Sequence, residues 1–191
     1  GRYLLITVIA SLIIGTVYSL PPFRLKRFHF WAAACIFTVR GAVINVFLFL
    51  HFNTILGASE VVPPHVWVLT AFIFGLSLVI AWFKDIPDID GDRHFKIATL
   101  SCHLGPDKVF RLGVYVLTAC YLSLIIAGII GISGVNGPVL ALTHLFLLIL
   151  MWIMSKRVQP LDKTSFTNYY QFIWTLFFCE YIFYATACLL A

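Results

Sequence analysis

The amino-acid sequence predicts an all-α, polytopic membrane protein folded as a single domain over residues 1–191. Hydrophobic residues make up 61% of the chain and charged residues only 11%, whereas a soluble globular domain carries about 25% charged residues. Six apolar runs come near or exceed the roughly 18–20 residues that a membrane-spanning helix requires. They show no polar alternation, which favours helices over the strands of a membrane barrel. The runs are Tyr3–Leu20, Phe28–Phe52, Val66–Phe83, Val109–Ile132, Pro138–Ser155 and Tyr169–Leu190.

The segments that connect these runs alternate in charge. Segments 21–29, 84–111 and 156–168 hold eleven of the thirteen Lys and Arg residues, whereas segments 53–65 and 133–137 hold none. The alternation supports six spans independently of hydropathy, and the positive-inside rule predicts that the basic side faces the cytoplasm, or the stroma of a plastid. Because this topology explains the net charge of +5, nucleic-acid binding is not expected.

The chain begins Gly-Arg-Tyr, with neither a Met nor the basic and apolar regions of a signal or transit peptide. This predicts a processed start or a piece of a longer protein. The five cysteines form no Cys-x-x-Cys pair, and four of them lie inside apolar runs. We therefore expect them to pack as small hydrophobic residues rather than to hold zinc or form disulfides.

Half of the acidic residues lie in one segment, AWFKDIPDIDGDRHF at positions 81–95. The spacing of Asp85, Asp88 and Asp92 predicts that these three share one face of a short helix, which begins near Asp85 with Pro87 in its first turn, while Asp90 points elsewhere. Carboxylates gathered in this way repel one another, so a positive partner is expected. Oxygen donors at a membrane edge suit Mg²⁺, which binds one or two carboxylates and completes its shell with water and substrate phosphates.

The acidic segment is also similar in composition to other kinds of site. The string from Asp88 to Asp92 has some likeness to a calcium loop, but its glycine comes too early and Thr99 stands where a bidentate Glu is required, which excludes an EF-hand. Two alternatives remain open. The aspartates form a hydrated loop with nearby basic residues, or they belong to an ion-transport path. The basic residues are Lys84, Arg93 and Lys96.

A basic segment, YSLPPFRLKRFHF at positions 18–30, is predicted on the same side of the membrane. Lys26 and Arg27 follow a Pro-Pro bend, and Tyr18 lies near the membrane boundary. A bound diphosphate needs both a cation held by acids and Lys or Arg side chains for its remaining oxygens. The segment is therefore a candidate diphosphate site, and the plain alternative is a signal for membrane topology.

Arg40 lies about twelve residues, or roughly 18 Å, into the second run, too deep to reach the surface easily. Placing a charged side chain at mid-membrane costs at least about 2.5 kcal/mol. Because of this cost, a charged residue at such a depth is interpreted first as a functional residue. Glu180 is similarly deep in the sixth run. Two interpretations stand: an Arg40–Glu180 ion pair, or a polar substrate cavity lined by Arg40 and by Asn45, one turn deeper.

Tyr18…Lys26 and Asp85-x-x-Asp88-x-x-x-Asp92 resemble the paired motifs of the UbiA superfamily of intramembrane prenyltransferases. The strings YSLPPFRLKRF and FKDIPDIDGD, followed by Thr99-Leu-Ser and Leu104-Gly105, are similar to those of its homogentisate prenyltransferase branch. The similarity runs through essentially the whole chain, and the acidic string is its most specific part.

The resemblance implies a bundle of nine helices in which two Asp-rich motifs hold Mg²⁺ against a prenyl diphosphate. Asp88 and Asp92 match the second motif, with Asp85 as an extra acid of this branch, and Tyr18 and Lys26 match a Tyr–Lys element after the fourth helix. In that register the chain holds helices four to nine, the C-terminal two-thirds of the fold. The first motif, an Asn-Asp-x-x-Asp type of sequence, is absent.

The implied reaction is transfer of a prenyl group, expected to be phytyl, from its diphosphate to homogentisate with loss of CO₂, in tocopherol and prenylquinone biosynthesis. The implied location is a cyanobacterial membrane or the plastid envelope, with the active side facing the cytoplasm or stroma. The expected site residues are Asp88, Asp92 and Lys26 for catalysis, Asp85, Asp88 and Asp92 for the metal, Tyr18, Lys26, Arg27 and Arg93 for the diphosphate, and Arg40 and Asn45 for the aromatic substrate.

UbiA-type transferases with another tail or acceptor remain alternatives, namely homogentisate solanesyl- or geranylgeranyltransferase and chlorophyll synthase. A membrane transporter is the alternative from a different class. It is disfavoured because the acids sit together at one rim and no inverted repeat is evident. The expected partners are the two substrates and the lipid bilayer, and the sequence does not identify protein partners.

Overall fold

The computed structural model describes residues 1–94 and 99–191, and none of these residues forms a strand. This confirms the all-α fold. In chain order the helices of the described residues are α1 Arg2–Ser19, a 3₁₀ turn Leu25–Arg27, α2 His29–Phe37, a π-helix Thr38–Phe47, α3 Leu48–Ile55, α4 Pro64–Lys84, α5 Ile89–His94, α6 Leu100–Leu104, α7 Pro106–Ile130, α8 Gly137–Ser155 and α9 Lys163–Leu189.

Within the described ranges, six helical segments are long and apolar enough to cross a membrane, which confirms the number of spans expected from hydropathy. The second span is composite, because α2, the π-helix and α3 follow one another without a break. The six segments are Arg2–Ser19, Phe30–Ile55, Pro64–Lys84, Pro106–Ile130, Gly137–Ser155 and Lys163–Leu189.

The chain forms two compact units, Gly1–Leu78 and Val79–Ala191. The single domain over residues 1–191 stays a prediction. In the second unit an aromatic cluster joins α4, α7 and α9. The ring of Phe83 lies 5.9 Å from that of Phe110, 5.4 Å from that of Phe166 and 6.1 Å from that of Tyr169. Such pairs contribute about 0.5–1.5 kcal/mol each beyond the burial of their area, so the cluster fixes where the chain leaves α4 for the acidic segment.

Helices α7 and α8 approach closely where a glycine lies on each. A Cβ atom on Gly128 would lie 2.7 Å from the carbonyl oxygen of Gly137 and 2.9 Å from the backbone nitrogen of Ala141. The start of α8 is also tied to the end of α9, because Asn136 donates its backbone N–H to the Ala187 carbonyl at 2.8 Å and its side-chain amide to the Leu190 carbonyl at 3.0 Å. These contacts hold the last three spans together at one end.

The opposite end of the second unit carries its basic residues. Arg111, near the start of α7, and Lys156, just after α8, line one cavity. Arg93 and Lys163 line a second cavity. Two of the three basic segments therefore meet at one end of the unit, as the alternation of charge requires. Which side of the membrane this end faces stays a prediction.

Candidate functional site

The acidic segment folds as a turn followed by a short helix. Helix α4 ends at Lys84 and α5 begins only at Ile89. The predicted helix beginning near Asp85 is therefore wrong, and Pro87 lies in the turn rather than in a first helical turn. Pro87 has no N–H to continue α4, and it disfavours a helical backbone at the residue before it. The chain can resume a helix only after this proline.

Asp88 and Asp92 keep the predicted helical relationship. The backbone N–H of Asp92 donates to the Asp88 carbonyl at 2.9 Å, so the two residues lie one turn apart. Asp88 is exposed and Asp92 is partly buried. Burial raises the pKa of the Asp92 carboxyl, and the negative charges of Asp85 and Asp88 raise it further. A hydrogen bond with Thr99 and the positive charge of Lys84 lower this pKa, but they do not cancel the increase. Asp92 is thus close enough to both Asp85 and Asp88 for their negative charges to repel its own.

Asp85 differs from its neighbours because it is buried, 7% exposed, and has a basic partner. The Nζ atom of Lys84 lies 2.8 Å from its Oδ1. This contact belongs to the hydrated-loop alternative, of which a second member, Lys96, lies outside the described residues. Arg93, predicted for the diphosphate, lines a cavity with Asp90 and Lys163. The acids of this segment therefore have different surroundings despite their proximity in sequence.

Asp88 and Asp92 fit a divalent cation whose remaining ligands are water and phosphate oxygens, rather than one held by protein side chains alone. Among residues 1–94 and 99–191, no three His, Cys, Asp or Glu side chains form a group that could hold a metal ion. Mg²⁺ takes only one or two carboxylates when water and phosphate complete its shell. The raised pKa of Asp92 supports the fit, because a cation between the carboxylates would relieve their repulsion. Asp85 as a further ligand stays a prediction.

In the first unit, Tyr18 and Arg40 line one cavity of about 370 Å³. Tyr18 lies in the last turn of α1, and Arg40 lies in the second span. The other walls are mainly apolar and include Ile14 and Ile36. A residue predicted for the diphosphate and one predicted for the aromatic substrate are thus brought together, in surroundings that suit an organic molecule with a charged group.

Arg40 and Asn45 lie in the ten-residue π-helix. Helices of this kind are rare and frequently lie at functional sites. The side-chain amide of Asn45 donates to the carbonyl oxygen of Gly41 at 2.7 Å and to that of Arg40 at 3.4 Å. Gly41 allows the π-helix to approach α4, since a Cβ there would lie 3.3 Å from the Cα of Phe74. Asn45 therefore supports the backbone that carries Arg40.

Lys26 and Arg27 are exposed in the 3₁₀ turn that follows α1. The residue before this turn, Arg24, has φ of +39°, a left-handed conformation that is uncommon for a residue other than glycine. Its N–H donates to the Leu20 carbonyl at 2.9 Å, which closes the bend after the span. The two cations are thus presented together at the end of α1 that carries Tyr18.

The charge of Glu180 has a partner within the second unit. The Nε2 atom of His144 lies 3.1 Å from both of its carboxylate oxygens, and neither residue is exposed. This contact gives the Glu180 carboxylate a partner at that depth, and the Arg40–Glu180 pair stays a prediction. His144 was one of several histidines without a distinguishing pattern in the sequence. Its position inside an apolar run was the only signal.

Residues 1–176 match the model of the UbiA prenyltransferase family. The chain belongs to this family. It is 49% identical over 187 residues to homogentisate phytyltransferase of Synechocystis, covering 98% of this chain and 61% of that protein. It is 37% identical to homogentisate phytyltransferase 1 of Arabidopsis thaliana, covering 90% of this chain and 44% of the relative. It is 33% identical to homogentisate geranylgeranyltransferase of Triticum aestivum, covering 93% and 44%.

No solved structure gave a significant match. The chain spans less than two thirds of the length of these curated relatives. The match over residues 1–176 confirms the predicted membership of the UbiA family.

Proposed function

We propose that this chain forms part of a Mg²⁺-dependent aromatic prenyltransferase that transfers a phytyl group from phytyl diphosphate to homogentisate with decarboxylation. The observation that carries the proposal is the pair of mutually repelling carboxylates, Asp88 and Asp92, one helical turn apart. It occurs in a member of the UbiA family that is 49% identical to a homogentisate phytyltransferase.

In this proposal Asp88 and Asp92 hold Mg²⁺, which supplies positive charge against the leaving diphosphate. Lys26 and Arg27 donate to the remaining phosphate oxygens, and the hydroxyl of Tyr18 donates a further hydrogen bond. Arg93 is a further candidate for this role. These donors stabilise the negative charge that develops when the allylic C–O bond breaks and its electron pair leaves with the diphosphate.

The acceptor completes the reaction. The homogentisate ring forms the new C–C bond and loses a ring proton, and its acetate side chain exchanges CO₂ for a proton. We assign Arg40 to the acceptor carboxylate, because a guanidinium binds a carboxylate with two parallel hydrogen bonds. Asn45 supports the backbone of Arg40. The apolar spans exclude water from the carbocation and accommodate the prenyl tail.

A geranylgeranyl tail is the second candidate, favoured by the 33% identity to a homogentisate geranylgeranyltransferase. Phytyl is preferred because the relative at 49% identity carries that name. The Synechocystis and chloroplastic relatives also support a location in a cyanobacterial or plastid membrane. Within it, we place the acidic segment at the cytoplasmic or stromal face.

The test is an assay of the intact protein in membranes with Mg²⁺, homogentisate and three diphosphates, carrying phytyl, geranylgeranyl and solanesyl groups. We expect a decarboxylated prenyl product, formed fastest from phytyl diphosphate and lost when EDTA removes the metal. A faster reaction with another tail would correct the donor alone. The absence of product with every tail would contradict the proposed acceptor.

A further inference from the structure

A cavity of about 210 Å³ lies between the start of α7 and the end of α8, and none of its lining residues has a part in the proposed reaction. Two of its lining residues are cations, Arg111 and Lys156, and both are exposed. No lining residue of this cavity in the described part of the chain is acidic. Two cations that share so small a space repel one another unless an anion lies between them.

Two neutral polar side chains of the cavity, Trp152 and Ser155, already donate hydrogen bonds within the protein. The indole N–H of Trp152 donates to the hydroxyl of Thr118 at 3.0 Å. The hydroxyl of Ser155 donates to the Trp152 carbonyl at 2.8 Å. Charged donors for a ligand therefore come from Arg111 and Lys156, whose three or more N–H groups each suit the oxygens of a phosphate.

The cavity lies at the membrane boundary. Helix α7 begins at Pro106 and α8 ends at Ser155, so both spans have their polar ends here. The aromatic residues Trp152 and Tyr115 also line the cavity, and such residues are typical of the interface between headgroups and hydrocarbon. Further into the span, large apolar side chains such as Ile126 of α7 and Ile149 of α8 are exposed. A ligand with a charged head and an apolar tail matches this order of cationic, aromatic and apolar surfaces.

We propose that this cavity binds the phosphate headgroup of an anionic glycerolipid. Arg111 and Lys156 bind the phosphate, Tyr115 and Trp152 pack against the glycerol region, and the acyl chains follow the apolar faces of α7 and α8. Basic pockets between the ends of membrane helices recognise anionic headgroups in this way. The site is independent of the proposed prenyl transfer.

The experiment measures lipid binding to the intact, detergent-purified protein by native mass spectrometry, with phosphatidylglycerol and phosphatidylcholine compared. We expect one phosphatidylglycerol to bind in preference to phosphatidylcholine, and its affinity to fall by about tenfold or more in the double variant Arg111→Gln/Lys156→Gln. The matched control is Lys108→Gln/Arg157→Gln. It removes the same charge from neighbouring exposed positions that do not line the cavity, and should bind phosphatidylglycerol as the wild type does.

Three results would overturn the proposal. Wild-type protein would show no preference for phosphatidylglycerol, both double variants would lose it equally, or millimolar glycerol 3-phosphate would displace the lipid and reveal a site for soluble phosphates. The charge-conserving variant Arg111→Lys/Lys156→Arg guards against misfolding of the Gln variant. It should keep the lipid preference, and its loss would also count against the site.

Discussion

The imidazole of His144 on α8 meets the carboxylate of Glu180 on α9, with Nε2 at 3.1 Å from both carboxylate oxygens and neither side chain exposed. Nδ1 of the same ring lies 2.6 Å from the carbonyl oxygen of Leu140, which can only accept, so Nδ1 carries a hydrogen. With Nδ1 carrying a hydrogen, a hydrogen bond between Nε2 and the carboxyl requires one further proton at that contact. The pair is neutral overall wherever that proton lies, which is the form in which two such groups are tolerated inside a membrane.

Removing one member of this pair should therefore cost more than removing both. We expect His144→Leu to lower the free energy of unfolding by about 3 kcal/mol, because it leaves a buried carboxyl without its partner. The double variant His144→Leu/Glu180→Leu should recover to within about 1 kcal/mol of the wild type. Unfolding of the intact protein in bicelles measures both values. A double variant as unstable as the single one would show that the pair adds to the free energy of unfolding beyond compensating its own buried charge.

The close approach of α7 and α8 gives a prediction about packing. Gly128→Ala should destabilise the protein by about 1–3 kcal/mol, because the new methyl group would meet the Gly137 backbone, which cannot rotate away. Gly15→Ala is the control. Gly15 also lies in a helix, but a Cβ there has nothing within 4 Å. Melting temperatures in detergent should separate the two variants, and equal melting would mean that α7 and α8 adjust without cost.

The six spans could be predicted from sequence because length and hydropathy are local properties of each helix. The π-helix at Thr38–Phe47 could not, because it depends on the fit of Gly41 against Phe74 and on the amide of Asn45. The partner of Glu180 was also beyond the sequence. It lies 36 positions away, and tertiary packing alone selects it from several histidines.

The spacing of the aspartates predicts one part of the acidic segment correctly and another part wrongly. Spacing of four correctly predicts that Asp88 and Asp92 lie one turn apart, because both follow Pro87. The same reasoning fails for Asp85, since a proline separates it from α5 and it pairs with Lys84 instead. Its burial depends on the end of α4, which hydropathy locates only to within a few residues.

Asp88, just before α5, and Asp92, within it, should both be essential for turnover. We expect Asp88→Asn and Asp92→Asn each to reduce kcat by about 100-fold or more, even with excess Mg²⁺. A neutral amide attracts the cation less strongly than a carboxylate does, and that cation offsets the charge of the diphosphate. Asp90→Asn is the matched control on the same helix and should retain activity within about threefold. Assay of the intact enzyme in membranes provides the measurement. Near-normal rates for Asp88→Asn or Asp92→Asn would remove the metal assignment.

The raised pKa of Asp92 predicts a dependence of stability on pH and metal. A carboxyl whose pKa is higher in the folded state favours its protonated form there, so its contribution is greatest below the ordinary value of 3.8 and is lost as pH rises through the folded value. In EDTA, melting temperature should therefore fall across that window more steeply for the wild type than for Asp92→Asn. Mg²⁺ should reduce the difference at the upper end. Parallel curves for the two proteins would show that the pKa of Asp92 is not raised in the folded protein.

Asn45 and Arg40 should act together on the acceptor. Arg40→Gln should raise KM for homogentisate by about tenfold or more, because it removes a charged hydrogen-bond donor from the cavity. Asn45→Leu should raise it in the same direction, because the carbonyls of Gly41 and Arg40 lose their amide donor. KM for the prenyl diphosphate should be unchanged in both variants. Initial rates with each substrate varied in turn give both constants.

The control for Asn45 is Asn53→Leu. Neither asparagine lines the cavity with Arg40, and both amides donate to backbone carbonyls, but that of Asn53 donates to Ser59 rather than to Arg40 and Gly41. It should leave both KM values near those of the wild type. A merely structural role for Asn45 would lower the amount of folded enzyme and kcat without separating the two constants. If Arg40→Gln and Asn45→Leu instead raised KM for the diphosphate alone, the cavity that Arg40 shares with Tyr18 would belong to the prenyl donor, and the acceptor carboxylate would need another partner.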